Sequence, residues 1–117
     1  MASALHHISI ICSSESSVSF YEKLGFHEFF RKERGYDTVV LMEGNGFRLE
    51  IYIDPSHPPR SASPENLGIR HFSLRVENIE KVISDLGLSA EQIKTDWLDQ
   101  RYCFIEDPDG LPVQLHE

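Results

Sequence analysis

Apolar and polar positions along this chain follow two periods, and each period recurs once. Residues 6–12 are apolar and β-branched, bounded by Ser13-Ser14, and predict a strand with Ile8, Ile10 and Cys12 on one face and His7 and Ser9 on the other. Over 15–24 the spacing of Val18, Tyr21 and Leu24 predicts a helix that Gly25 stops. Strands are expected over 26–34, ending at Gly35, and over 36–42. Asn45-Gly46 is a hairpin signal. The strand after it, 47–53, sets Phe47, Leu49, Ile51 and Ile53 against Arg48, Glu50 and Tyr52.

After the Pro- and Ser-rich stretch 54–68, read as a semi-stiff linker, the same order returns. A strand over 69–76 opposes Phe72, Leu74 and Val76 to His71, Ser73 and Arg75. Asn78 is an N-cap for a helix carrying Ile79, Val82, Ile83 and Leu86, closed by Gly87. Strands near 91–98, 100–106 and 111–116 follow, with Asp109-Gly110 as the turn before the last. The expected fold class is α+β. Two βαβββ modules, 5–53 and 69–117, make one domain over 1–117, with the apolar sheet faces packed on the two helices and the opposite faces curving into a cup-shaped mixed sheet.

The repeat has a chemical content. His7 and His71 are 64 residues apart, and so are Glu50 and Gln114, each on the face opposite the apolar set of its strand. The Leu24-Gly25 and Leu86-Gly87 pairs are 62 apart, so the offset slips through the helices and is restored in later loops. Imidazole nitrogens are common donors to first-row transition metals, a carboxylate adds charge neutralisation, and an amide oxygen is a neutral donor. His7, Glu50, His71 and Gln114 are therefore the candidate ligands of a divalent metal ion (Zn, Ni, Mn, Co or Fe), two nitrogens and two oxygens that leave room for substrate.

Charge and composition narrow the partners. The formal net charge is −8 and the one basic patch, Arg31, Lys32 and Arg34, is interrupted by Glu33, which disfavours nucleic acid and anionic membrane. No apolar run is long enough to span a bilayer, the first residues lack the basic and apolar regions of a signal peptide, and two cysteines give no disulfide framework. A reduced, cytoplasmic setting and a small-molecule substrate are expected. Arg48, Arg70, Arg75 and Arg101 are candidates to hold a substrate carboxylate, Tyr52, Phe72, Trp97, Tyr102 and Phe104 to line a pocket (Phe72 belonging to the core face by alternation), and His116 to reach the cup rim, while His6, His27 and His57 lack a partner at ligand spacing.

His7-Ile8-Ser9-Ile10, Phe20-Tyr21-Glu22-Lys23-Leu24-Gly25-Phe26, Arg48-Leu49-Glu50-Ile51, Gly68 to Leu74 and Glu106-Asp107-Pro108-Asp109-Gly110 together resemble the vicinal oxygen chelate superfamily, which includes glyoxalase I, bleomycin- and fosfomycin-resistance proteins and extradiol dioxygenases. The overall look is that of small bacterial glyoxalase-like proteins. The resemblance implies paired βαβββ modules, a homodimer, and a metal held by His7, Glu50, His71 and Gln114, within one chain or shared across two. It also implies bidentate binding of adjacent substrate oxygens and an enediolate-type intermediate, with Glu50 as catalytic base. Gln114 stands where bacterial glyoxalase I has Glu. The other activities the resemblance implies are a metal-free, bleomycin-resistance-like binding protein and a metal-dependent thiol transferase.

Overall fold

Parallel pairing of the first strand with the fourth organises the first half. The computed structural model describes residues 2–88 and 93–117, and the chain divides into two units, Met1–Pro58 and Pro59–Glu117. The first unit runs β1 (His7–Cys12), α1 (Ser16–Lys23), β2 (His27–Glu33), β3 (Thr38–Gly44) and β4 (Phe47–Ile53). Its sheet has the order β1-β4-β3-β2, with β1 parallel to β4 and the other pairs antiparallel. The second unit runs β5 (Phe72–Arg75), α2 (Ile79–Asp85), β6 (Lys94–Thr95), β7 (Arg101–Glu106) and β8 (Pro112–His116), in the corresponding order β5-β8-β7-β6 with β5 parallel to β8.

The alternation read from the sequence is the alternation of burial. Ile10 and Cys12 of β1, Val40 and Met42 of β3, and Leu49 and Ile51 of β4 are buried, as are Val18, Tyr21 and Leu24 of the α1 segment. An eight-residue helix is marginal alone, so burial of this stripe is what holds α1 in place. The second unit repeats this with Leu74, Ile79, Ile83, Cys103, Ile105, Val113 and Leu115.

Both helices stop by one device. Gly25 and Gly87 take positive φ, +99° and +69°. The Gly25 N–H donates to the Glu22 carbonyl and the Phe26 N–H to Tyr21, while Gly87 donates to Ser84 and Leu88 to Ile83. This is the Schellman arrangement, and the Tyr21 and Phe26 rings, 6.3 Å apart, supply its apolar contact. At the other end of α2, Asn78 caps as expected, its side chain accepting the Lys81 N–H at 2.9 Å.

Three elements depart from expectation by two residues or more at an end. β3 begins at Thr38 because Arg34 to Asp37 form a turn, closed by the Arg34 N–H to Asp37 carbonyl bond and by two guanidinium bonds to the Asp37 carboxylate. β5 begins at Phe72, not at 69, whereas its counterpart β1 already pairs at His7 with Arg48. The position matching Arg48 is Pro112, whose nitrogen has no hydrogen to donate, so the ladder starts one residue later. The strand expected near 91–98 is reduced to Lys94–Thr95, ended by a turn in which the Asp96 carboxylate accepts the Leu98 and Gln100 N–H groups. Residues 89–92 of that expectation lie outside the described residues.

The hairpins before β4 and β8 account for one residue of the shifting offset. Asn45-Gly46 makes a two-residue turn between Gly44 and Phe47, both central residues at positive φ. In the second unit Asp107 and Leu111 close the loop, and the Asp107 side chain accepts the Asp109 and Leu111 N–H groups. That loop is one residue longer. Glu50 therefore pairs with Leu41 and Gln114 with Phe104, an offset of 63 on one strand and 64 on the other.

Candidate metal site

The parallel pairs position the predicted ligands. In β1–β4, Ser9 is opposite Glu50 and His7 opposite Arg48; in β5–β8, Ser73 is opposite Gln114. Partners in a ladder share a face, so His7 and Glu50 project from one face of the first sheet; in the second, Gln114 shares a face with Ser73 and Phe104, and His71, just ahead of β5, packs on Phe104.

In the first unit the pair is in contact. His7 Nδ1 lies 3.5 Å from Glu50 Oε2, with side chains 35% and 17% exposed. The other carboxylate oxygen, Oε1, accepts the Tyr52 hydroxyl at 3.1 Å. Burial, and then the hydrogen bond to Glu50, push the Tyr52 phenol above the ordinary tyrosine value. His7 Nδ1 also lies 2.8 Å from His6 Nδ1, the two rings meeting edge to face. With Nδ1 engaged, Nε2 is the His7 nitrogen left for a ligand.

In the second unit His71 packs edge to face on Phe104, ring centroids 4.7 Å apart. Its Nδ1 is buried and has no hydrogen-bond partner among the described residues. A buried imidazole nitrogen without a partner forfeits its hydration, and a Lewis acid is one kind of partner that restores the balance. Gln114 is half-buried between Ser73 and Phe104 in the register. The donor set, two imidazoles, a carboxylate and an amide oxygen, suits a first-row divalent ion. Among the described residues no three His, Cys, Asp or Glu side chains group closely enough to hold one.

Other candidates resolve differently. His116 shares the Gln114 strand face but is engaged: Nε2 lies 2.7 Å from Asp96, and Nδ1 donates to the Glu117 carbonyl at 2.9 Å. Arg70 pairs with Glu65, and Arg101 with Glu80 and Glu117. Cys12 and Cys103 are buried. Trp97 is fully exposed. Tyr52 as a partner of Glu50 was missed by the sequence reading, though its place two residues on along the same strand face was available as a signal.

Residues 4–115 match the Glyoxalase/Bleomycin resistance protein/Dioxygenase superfamily. The chain belongs to this superfamily. It is 39% identical to the uncharacterized protein YwkD of Bacillus subtilis (strain 168), over 97% of this chain and 96% of that one. It is 33% identical to the uncharacterized protein YaeR of Escherichia coli (strain K12), over 97% and 95%. Among solved structures it is similar to a glyoxalase family protein from Enterococcus faecalis, with TM-score 0.86, 33% identity and 97% of each chain covered. Two further likenesses, each at 17% identity, show the fold alone: a lactoylglutathione lyase from Agrobacterium tumefaciens, TM-score 0.69, and the fosfomycin resistance protein FosX from Listeria monocytogenes, TM-score 0.73. The superfamily's fold is thus the α+β arrangement of paired βαβββ units described above.

Proposed function

We propose that this superfamily member is a metal-dependent lyase or isomerase of the glyoxalase I type, acting on a small substrate with adjacent oxygens. His7, Glu50, His71 and Gln114 are the proposed ligands of one divalent ion, and Glu50 is the proposed base. The observation that carries the reading is the His7–Glu50 contact, with Glu50 held from its far side by Tyr52. The register of Gln114 opposite Ser73, matching that of Glu50 opposite Ser9, supports it.

A divalent ion bound there supplies Lewis acidity to the two substrate oxygens. Glu50 has the geometry of a movable base. One oxygen is tethered by the Tyr52 hydroxyl, and the other, 3.5 Å from His7, is held loosely enough to swing toward a carbon-bound proton beside a carbonyl. The same oxygen can return that proton to the neighbouring carbon, which completes an isomerisation without an external acid. With one carboxylate among the four ligands, the site keeps a net positive charge, which favours negative charge developing on the substrate. A reducing, cytoplasmic setting is the proposed location and a homodimer the proposed assembly, which sedimentation velocity checks.

The decisive experiment is elemental analysis of protein purified without chelator, followed by turnover of the methylglyoxal–glutathione hemithioacetal after metal reconstitution. Glu50→Gln is expected to keep most of the metal and lose turnover. Full activity in that variant removes the proposed base. Gln114→Glu is expected to tighten metal binding by about tenfold through the added charge; unchanged affinity would make Gln114 a structural residue.

A further inference from the structure

At the β3–β4 turn end of the first sheet is a cleft of about 480 Å³, formed within the first unit by Leu5, His6, His27, Glu43, Phe47 and Arg48 together with Gly44 and Gly46. The strand register explains how it is built. His7 is opposite Arg48, Arg48 opposite Glu43, and Glu43 opposite His27, a single row across all four strands. Ladder partners share a face, so the row opens on the Glu50 side. Arg48 is two residues from Glu50 on β4, roughly 7 Å along the strand.

Cross-strand pairing predicts an Arg48–Glu43 ion pair. The structure has another arrangement. Glu43 lies 3.6 Å from His27, and the Arg48 guanidinium lies over the Phe29 ring, 4.9 Å from its centroid. Arg31, Arg34, Arg70 and Arg101 each hold a carboxylate. Arg48 has none within ion-pair distance among the described residues, in a chain of net charge −8. A guanidinium stacked on a ring by its face keeps its edge, the bidentate donor fork, open. His6 and His27 bring imidazole nitrogens to the same cleft, Leu5 and Phe47 give it apolar walls, and His6 touches His7 directly.

We propose that this cleft anchors an oxyanionic group of the substrate, a carboxylate or a phosphate. Arg48 is the residue that selects for it, and His6 and His27 are supporting donors. The substrate class becomes a small hydroxy- or oxo-compound with an oxyanion a few bonds from its adjacent oxygen pair. The inference rests on the reading above only for which end of the substrate reacts. Glu43 opposes an anion here, and its pairing with His27 limits that opposition.

Three probes share a hydroxyketone head and differ in charge: dihydroxyacetone, hydroxypyruvate and dihydroxyacetone phosphate. Each is titrated into the whole protein, followed by amide and arginine Nε–H resonances. At least one anionic probe is expected to bind about tenfold tighter than dihydroxyacetone and to move the Arg48 Nε–H signal; which of the two does so identifies carboxylate or phosphate. Arg48→Gln is expected to erase the preference while leaving dihydroxyacetone binding unchanged, with its amide spectrum reporting an intact fold. Glu43→Gln is expected to strengthen it. Equal affinity for the three probes, no saturable shift at Arg48, or a preference that survives Arg48→Gln overturns the proposal. Anion preference without turnover in any metal-loaded sample counts against the enzyme reading alone. Turnover with no anion preference counts against this inference alone.

Discussion

Tyr52 donates its hydroxyl to Glu50 across 3.1 Å, from two residues further along the same face of β4. The bond orients the carboxylate, so one oxygen turns to His7 while the other is occupied. Removing the hydroxyl alone, in Tyr52→Phe, should leave the fold intact and let Glu50 rotate. Loss of a partner that orients a ligand typically costs about 10- to 100-fold in metal affinity or activity, and a loss in that range is expected in kcat/KM on the hemithioacetal. The phenol gives a readout that needs no turnover. Tyr52 should ionise above the ordinary tyrosine value, and in Glu50→Gln its midpoint should fall only part of the way back, because burial is the larger cause. Unchanged phenolate absorbance curves in Glu50→Gln would show that the hydrogen bond does not form in solution.

His71 presents the reverse case, a polar atom with too little contact. Its Nδ1 is buried without a partner while its ring packs on Phe104. His71→Phe keeps a ring at that place and deletes the unsatisfied nitrogen. Metal-free protein should be as stable as wild type or more so, by about 1 kcal/mol. Any rise in Tm on adding a divalent ion should be lost, since a ligand stabilises the fold only through the site it occupies. Thermal melts of both proteins with and without Zn or Ni decide it: an undiminished metal-dependent shift would remove His71 from the ligand set.

Much of this architecture was legible because duplication writes each signal twice. The Leu24-Gly25 and Leu86-Gly87 pairs foretold where the two helices stop, and the opposed faces of β1 and β4 foretold where His7 and Glu50 project. What escaped was set by interactions between strands. The late start of β5 depends on Pro112 facing the place where a ladder partner is needed. The row of His27, Glu43, Arg48 and His7 depends on a register that shifts between Glu28 and Phe30, an irregularity with no clear signature in the sequence. His6 and His27 therefore looked unpartnered, although one meets His7 and the other Glu43.

Gly44 joins the turn chemistry to the helix end. Its α-carbon faces the Gly25 backbone so closely that a Cβ there would collide with the Gly25 carbonyl oxygen and approach the Phe26 Cα. The neighbouring Asn45 side chain donates to the Leu24 carbonyl at 3.0 Å, clamping the β3–β4 turn onto the C-terminus of α1. The obstacle is backbone, so it cannot move aside like a flexible side chain. Gly44→Ala should cost about 2 kcal/mol of stability, in the range for overpacked sites. Gly46→Ala meets no such neighbour, although its φ of +84° still strains it. Urea midpoints within error of wild type for Gly44→Ala would contradict the close approach.

Asp96 ties the short β6 edge to the last strand. Its carboxylate accepts the Leu98 and Gln100 N–H groups at 2.8 and 3.0 Å and lies 2.7 Å from His116 Nε2. The Gln100 N–H above all, then His116 and Leu98, hold it below the usual carboxylate range. A carboxyl depressed in the folded state binds its proton more readily when unfolded, so folding gains from it at higher pH. That stabilisation is complete above the unfolded value of about 3.9 and is lost as pH falls through the lower folded value. Asp96→Asn removes the charge while keeping one acceptor oxygen. Its urea midpoint should lie below wild type at neutral pH, and the two midpoints should converge as the pH is taken down through the folded carboxyl's titration. A gap of equal size at both ends of that range would mean that Asp96 stabilises the turn by shape, with no contribution from its charge.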